Sequence, residues 1–165
     1  MDLKLLIRDV PDFPKKGILF RDISPLLRSP EALRYLAKAL VEKTDLSQID
    51  LFAGIESRGF LLTMLLSSTY QKGFLPIRKA GKLPPPTVRQ KYDLEFGQAE
   101  LEVAPGQGRV MIVDDVLATG GTLQAAVHVC STAGFEVRDV SVLINLKSLN
   151  QFRFRGQEIH SLIQY

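Results

Sequence analysis

Two adjacent carboxylates and a glycine-rich turn follow one strongly apolar run of the sequence. Residues 110–113 are continuously apolar and lead directly into Asp114 and Asp115, and Gly120 and Gly121 stand a few residues further on. Glycines allow a tight turn whose N–H groups point inward, and the start of a following helix adds positive partial charge. This segment is therefore predicted to bind a phosphate, and its two carboxylates suit either the hydroxyl groups of a sugar or a divalent cation.

The glycine segment differs from the two best-known phosphate-binding motifs. It lacks the lysine that a Walker A loop requires. Gly106 and Gly108 do not complete a dinucleotide-binding motif, because they precede the apolar run and a third glycine is missing. Thr119 and Thr122 instead offer hydroxyl donors beside Gly120 and Gly121.

A second segment carries only positive charges. No acidic residue occurs between positions 72 and 91, and the cations there are Lys72, Arg78, Lys79, Lys82, Arg89 and Lys91. A local field of this kind suits a polyanion. The whole chain has 21 basic and 18 acidic residues, a surplus too small to predict a nucleic-acid partner.

Helix and strand patterns alternate along the chain. Ser29 and Pro30 begin a predicted amphipathic helix whose apolar residues continue to Val41. Further elements follow in alternation: a strand at 51–53, a helix at 60–66, a strand at 110–113, a helix at about 122–133 with Gly134 as its cap, and a strand at 137–146. This order predicts an α/β fold with a mainly parallel sheet, whose working face is at the carboxyl ends of the strands.

Two stretches break the simple alternation. Residues 79–97 have no clear periodicity and contain the basic cluster and three consecutive prolines, which is typical of a lid or binding loop. In residues 99–103, apolar side chains alternate with Glu100 and Glu102. That pattern predicts a half-exposed strand, antiparallel or at an edge of the sheet.

Composition limits the class of protein. A chain of 165 residues that is 45% hydrophobic and 24% charged fits a single soluble domain over 1–165. No apolar run approaches the ~18 residues that a membrane span needs, and the start has no signal-peptide pattern. The single cysteine, Cys130, excludes an internal disulfide and fits a reducing compartment. We therefore expect a cytoplasmic protein without a membrane partner.

The motifs together resemble the type I phosphoribosyltransferase family, and among its members those that use adenine. VMIVDDVLATGGT at 110–122 is similar to the segment with which that family binds 5-phosphoribosyl 1-pyrophosphate (PRPP). Other similar segments are PDFPKKGILFRDISPLL near the start, GIESRGF at 54–60, IRKAGKLPPPT at 77–87, YDLEFGQAELE at 92–102 and SLIQY at the end. The resemblance implies the type I fold, in which a mainly parallel central sheet is flanked by helices, with a flexible lid loop and a small N-terminal hood that contributes to the base pocket. It also implies a homodimer that converts adenine and PRPP into AMP and pyrophosphate in purine salvage.

The resemblance assigns each part of the PRPP site to residues of this sequence. Asp114 and Asp115 are expected at the ribose 2′- and 3′-hydroxyls. The residues implied at the 5′-phosphate are Ala118, Thr119, Gly120, Gly121 and Thr122. Those implied at the pyrophosphate are Ser57, Arg58, Arg78, Lys79 and Lys82, and in the family the peptide bond between Glu56 and Ser57 is often cis. Magnesium is expected to arrive as the PRPP complex, with no metal ligand supplied directly by the protein.

The resemblance also implies how the base is held and activated. Backbone groups of Leu19 and Arg21 are expected to read the purine edge, while Phe20 packs on the purine face and Val116 lines the other wall. A carbonyl that accepts from the 6-amino group and an N–H that donates to N1 favour adenine, because a 6-oxo purine would leave these groups unpaired. Glu95 is the residue expected to transfer the proton.

Two departures and two rival functions accompany this resemblance. Phe96 stands where many relatives have tyrosine, and the stretch LTMLL at 62–66 lacks the glycine that relatives usually carry near Thr63. One rival is a phosphoribosyltransferase for another base, which should lack GILFRD and LEFG. The other is a PRPP-sensing regulator that binds nucleic acid, which would need an additional DNA-binding segment.

Overall fold

The computed structural model describes residues 1–94 and 97–165, and they form two compact units, 1–39 and 40–165. The first unit contains a short 3-10 turn at Leu3–Leu6, the antiparallel strands β1 (Arg8–Pro11) and β2 (Leu19–Asp22), and the helices α1 (Ser24–Leu27) and α2 (Pro30–Ala39). Ser29 Oγ accepts the N–H of Ala32 at 3.2 Å, as an N-cap does. The predicted helix start is thus confirmed, although the helix ends at Ala39 rather than Val41. The expected single domain over 1–165 stays a prediction.

The second unit is built on a seven-stranded sheet. Its elements in chain order are β3 (Leu51–Ile55), α3 (Arg58–Tyr70), β4 (Gly73–Lys79), β5 (Val88–Leu94), β6 (Gly97–Val103), β7 (Gly108–Leu117), α4 (Gly121–Thr132), β8 (Phe135–Asn145) and β9 (His160–Gln164). The strand order is β5-β6-β4-β3-β7-β8-β9, in which the run from β4 to β9 is parallel and β6 is antiparallel to both neighbours. The predicted α/β class with a mainly parallel sheet is confirmed.

Strand β7 is longer than its apolar run. Residues 110–113 are fully buried, as predicted for a strand covered on both faces. The strand then continues through Asp114 and Asp115 to Leu117, because β8 pairs with it as far as Asn145. The two carboxylates therefore lie within the strand near its carboxyl end, whereas the sequence pattern placed them just after it.

The segment predicted as one loop, 79–97, contains a strand. Strand β5 pairs with β6 from Val88 opposite Val103 to Leu94 opposite Gly97, so the irregular part between the strands is 80–87. The sequence VRQKYDL gives no alternating apolar signal because most of its residues are polar. Strand β6 is antiparallel as predicted, but it lies between β5 and β4 rather than at an edge.

One of the two glutamates on β6 is buried. Glu102 has 0% of its surface exposed, although the alternating pattern indicated a solvent-facing side chain. Its surroundings explain the difference, since backbone N–H groups of residues 82 and 83 and the side chain of Arg89 cover it.

In the described ranges, no helix has both the length and the apolar character needed to cross a bilayer.

Candidate active site

A cavity of about 290 Å³ lies where β3, β4 and β7 end. Many of the residues singled out in the sequence meet there, as expected for the carboxyl edge of a parallel sheet. The predicted site residues that line it are Ser57, Arg58, Lys79, Asp114, Asp115, Val116, Ala118, Thr119, Gly120 and Thr122. Sequence reasoning did not select Glu56 and Tyr92, which line the same cavity.

Other predicted site residues lie elsewhere in the described structure. Gly121 begins α4 directly after the lining residue Gly120. Arg78 is in β4, and Lys82 follows that strand in the 80–87 segment; neither side chain is among the described groups that line the cavity. Glu95 and Phe96 fall outside the described residues, so their roles stay predictions.

Three of the residues predicted to bind the base are on β2 of the first unit, and the fourth, Val116, is on β7. Leu19 is 45% exposed, so a large apolar side chain there faces solvent. The ring of Phe20 packs edge-on against Phe13, with centroids 5.1 Å apart, and Arg21 forms an ion pair with Asp9. Strand β2 therefore presents these residues from a braced hairpin, and their contact with a purine stays a prediction.

The turn between β7 and α4 has the geometry of an anion site. Gly120 has φ of +96°, a left-handed conformation that glycine adopts without strain. Helix α4 starts at the next residue and runs for 12 residues. The first N–H groups of a helix have no partner within the helix and carry positive partial charge. The turn can therefore bind a phosphate through backbone N–H groups.

The two aspartates form a buried acidic pair with one cationic neighbour. Asp114 is 8% exposed and Asp115 is 4% exposed, and Arg58 Nε lies 2.7 Å from Asp115 Oδ2. Burial raises the pKa of Asp114 well above its ordinary value, and the adjacent Asp115 carboxylate raises it further. Burial also raises the pKa of Asp115, while Arg58 opposes that rise. Such a pair gains from hydrogen-bond donors, which sugar hydroxyls supply.

Small residues allow helix α3 to approach this acidic pair. A methyl group on Gly59 would lie 2.8 Å from Asp114 Oδ1 and 3.0 Å from the carbonyl oxygen of Val113. Thr63 Oγ1 donates to the carbonyl of Gly59 at 2.7 Å and occupies the space that a side chain at Gly54 would need. The departure at Thr63 is thus accommodated, because the buried hydroxyl is hydrogen-bonded and faces a glycine.

Glu56 links the cavity to the end of β4. Its carboxylate accepts from Arg78 Nε at 3.2 Å, from Arg78 Nη2 at 3.4 Å and from the backbone N–H of Lys79 at 3.0 Å. Burial opposes the charge on Glu56, but the hydrogen bonds from Arg78 and Lys79 prevail and lower its pKa. The peptide bond between Glu56 and Ser57 is cis, as the resemblance implied. The only signal in the sequence was the position of Glu56 directly after β3.

The basic segment is partly neutralised by groups from other strands. Arg78 pairs with Glu56 and Arg89 pairs with Glu102, whereas Lys72 Nζ donates to the uncharged carbonyl of Ile49 at 2.6 Å. The segment itself contains no acid, as the sequence shows, but acids from other parts of the chain pair with two of its six cations. A sequence window cannot show such partners. In the described part of the chain, no acidic side chain pairs with the cations of Lys79, Lys82 or Lys91.

Comparison with known proteins decides the family. Residues 22–148 match the phosphoribosyl transferase domain. The chain is also 60% identical to the adenine phosphoribosyltransferase of Bdellovibrio bacteriovorus over 165 residues, the full length of both proteins. The chain belongs to the adenine phosphoribosyltransferase family.

Solved structures of this family have the same fold. The adenine phosphoribosyltransferase of Rhodothermus marinus is 43% identical, with a TM-score of 0.90 over 99% of this chain and 96% of that one. The Saccharomyces cerevisiae member was solved with an imino-altritol bisphosphate and adenine. It is 33% identical, with a TM-score of 0.84 over 97% and 94% of the two chains. The predicted type I phosphoribosyltransferase fold is confirmed.

Proposed function

We propose that this protein transfers the 5-phosphoribosyl group of PRPP to N9 of adenine and releases AMP and pyrophosphate, a purine-salvage reaction. The observation that carries this proposal is the single cavity in which the acidic pair, the β7–α4 turn and Arg58 meet. Relatives that bear the name adenine phosphoribosyltransferase support the choice of base, as does the yeast structure with adenine.

In this proposal the β7–α4 turn binds the 5′-phosphate and the acidic pair binds the ribose. Backbone N–H groups at the start of α4 suit a dianionic phosphate. Asp114 and Asp115 accept hydrogen bonds from the ribose 2′- and 3′-hydroxyls and thereby fix the sugar. Ser57 and Arg58 take the pyrophosphate, together with the cations of Arg78, Lys79 and Lys82. The reacting carbon, C1′, then lies between the two anionic ends of the substrate.

The transfer exchanges one bond at C1′ for another. The bond from C1′ to the pyrophosphate oxygen breaks, the bond from adenine N9 to C1′ forms, and the base loses a proton. Positive groups around the leaving pyrophosphate stabilise the negative charge that develops on it. We assign the proton transfer to Glu95, and the base contacts to Leu19, Phe20, Arg21 and Val116.

The role of Glu95 has a direct test. Glu95→Gln is expected to slow turnover by ~10²-fold or more, since it removes a general acid-base group, while PRPP affinity stays nearly intact. Steady-state rates and a PRPP titration measure the two quantities. Unchanged turnover would remove Glu95 from the mechanism.

Magnesium enters this proposal as part of the substrate, the magnesium–PRPP complex. Its ligands would be pyrophosphate and ribose oxygens, and its charge would offset that of the leaving group. Among the residues the structure describes, no three His, Cys, Asp or Glu side chains cluster as a metal site requires. We propose that PRPP itself carries the cation, without a direct protein ligand, because its pyrophosphate and ribose oxygens can supply the ligands.

We further propose that the protein is a cytoplasmic homodimer. Helix α3 exposes Leu61 and Met64, at 53% and 49%, on one side. Large apolar side chains at i and i+3 form a stripe that a second copy of the chain could cover. The single cysteine supports a reducing compartment.

The proposed function is tested by AMP formation from magnesium and PRPP with adenine, hypoxanthine, guanine and xanthine in separate reactions. We expect turnover of adenine alone. Turnover of a 6-oxo purine would keep the PRPP site and contradict the roles of Leu19 and Arg21. PRPP binding without any transfer, accompanied by salt-dependent DNA binding, would support the regulator instead.

A further inference from the structure

The buried carboxylate of Glu102 has no role in the reaction proposed for the cavity. Glu102 lies on β6, opposite Arg78 of β4 and Arg89 of β5. It is fully buried, and it is not among the described residues that line the cavity. Glutamate is almost never fully buried unless it is paired, so its partners indicate what it does.

Two of those partners are backbone N–H groups of one turn, residues 80–83, which we call the anchor turn. Glu102 Oε1 accepts the N–H of Lys82 at 2.6 Å and the N–H of Leu83 at 2.7 Å. Arg89 Nε lies 3.2 Å from Glu102 Oε2. Burial opposes the charge on Glu102, but the backbone hydrogen bonds and Arg89 prevail and lower its pKa. Glu102 therefore holds the anchor turn as a charged group at neutral pH.

Arg78, which is paired with a residue of the cavity wall, also holds the anchor turn. Arg78 Nη1 donates to the carbonyl of Lys82 at 3.3 Å, and Arg78 is itself paired with Glu56, which lines the cavity. Glu56 also accepts the N–H of Lys79 at 3.0 Å. The carboxylates of Glu56 and Glu102 thus together fix the backbone that carries Lys79 and Lys82.

We propose that Glu102 is a positioning residue for the pyrophosphate group: through the backbone of the anchor turn, it sets where the ammonium group of Lys82 meets that group. This inference rests on the proposed function, because it requires a pyrophosphate at the cavity. Glu102 itself contacts no substrate. Its effect is confined to ligands that carry the pyrophosphate and does not extend to those held by the 5′-phosphate turn.

Glu102→Gln tests this separation, because it keeps the shape of the side chain and removes its charge. The Kd of magnesium pyrophosphate, measured by calorimetry, is expected to rise by about tenfold, the effect of weakening a buried charged anchor. The Kd of AMP is expected to stay unchanged, since AMP has no pyrophosphate. A purely structural role would weaken both ligands together, and that result would overturn the proposal.

Glu100→Gln is the matched control. Glu100 lies on the same strand, and its carboxylate is 4.0 Å from Arg89. Its side chain accepts no backbone N–H of the anchor turn in the described structure. Both Kd values are expected to match the parent, and a tenfold weakening of pyrophosphate binding by Glu100→Gln would contradict the specific role of Glu102.

Hydrogen exchange in the parent decides the matter if Glu102→Gln does not fold. The amides of Lys82 and Leu83 are expected to exchange slowly and to slow further when magnesium pyrophosphate is added. Unprotected amides, or amides that pyrophosphate does not affect, would overturn the proposal. If the parent bound no pyrophosphate and formed no AMP, the proposed function would fail. If the parent did both and Glu102→Gln bound pyrophosphate equally well, only the inference about Glu102 would be refuted.

Discussion

The burial of Asp114 lowers the stability of the fold when the carboxyl is ionised, and it leaves an acceptor that a ligand can use. Asp114 lies 8% exposed beside a second carboxylate, and its pKa is raised by burial and by Asp115. A carboxyl whose pKa is raised by folding stabilises the fold fully below its unfolded pKa, near 3.9. That contribution is lost as the pH rises through the folded pKa. Above its folded pKa, Asp114 is therefore a buried charge that hydrogen-bond donors of a ligand can stabilise.

Asp114→Asn should consequently separate stability from binding. At pH 7 the variant is expected to melt about 2–4 °C higher than the parent, because the amide has no ionised form for burial to disfavour. Near pH 4 the two melting temperatures should converge. PRPP affinity should fall by about tenfold, since the amide replaces a charged acceptor. Melting curves at both pH values and a PRPP titration measure these effects; a variant less stable at pH 7 would contradict the origin of the pKa shift.

Arg58 serves both the acidic pair and the pyrophosphate in our proposal. Arg58→Ala removes the cation 2.7 Å from Asp115 and should weaken pyrophosphate binding and turnover together, each by about tenfold or more. Arg138→Ala is the matched control, because Arg138 on β8 pairs with Glu136 away from the cavity. Equal PRPP affinity in Arg58→Ala and the parent would disprove the assignment.

At the scale of elements, the β7–α4 turn depends on one glycine. Gly120 has φ of +96°, and a methyl group there would lie 3.3 Å from Phe152 Cβ. The turn joins the strand that carries the acidic pair to the helix whose residues Thr122 and Leu123 line the cavity. If the turn binds the 5′-phosphate as we propose, a change at Gly120 alters that contact through the backbone.

Gly120→Ala is expected to weaken AMP binding by about tenfold and to destabilise the protein by about 1 kcal/mol, the cost of a left-handed alanine. Gly156→Ala controls for the backbone strain alone, since Gly156 has φ of +78° and open space around its Cβ position. Calorimetry and thermal melting compare the two variants. Equal AMP affinity in both would show that the turn does not hold the 5′-phosphate.

The elements also show what a sequence pattern can predict. Strand β7, helix α4 and their glycine turn are local features, so periodicity and glycine spacing located them and the acidic pair. Strand β5 was missed because its polar sequence has no alternating face. The burial of Glu102 depends on residues 82 and 83, about 20 positions away, and the partners of Glu56 are equally distant. Such pairings are fixed by strand order, which no window of sequence contains.

At the scale of the whole molecule, the proposed dimer has its own test. Leu61→Glu places a charge on the exposed stripe of α3 and should shift the protein from a dimer toward an 18.4 kDa species, because a buried unpaired charge is costly. Sedimentation velocity at micromolar concentration measures the change. Lys91→Glu is a charged control at an exposed position of β5. A parent that sediments only as a monomer would refute the homodimer.

The burial of Cys130 makes it possible to follow motion in this protein with a dye attached at another position. Cys130 is the only cysteine of the chain and is fully buried, and burial raises the pKa of its thiol to about 12. Almost no thiolate exists there at neutral pH, so maleimide dyes should leave it untouched. A cysteine introduced at the exposed position of Lys91 would then be the single labelling point, and its fluorescence could follow the β5–β6 hairpin during turnover in an otherwise unaltered background.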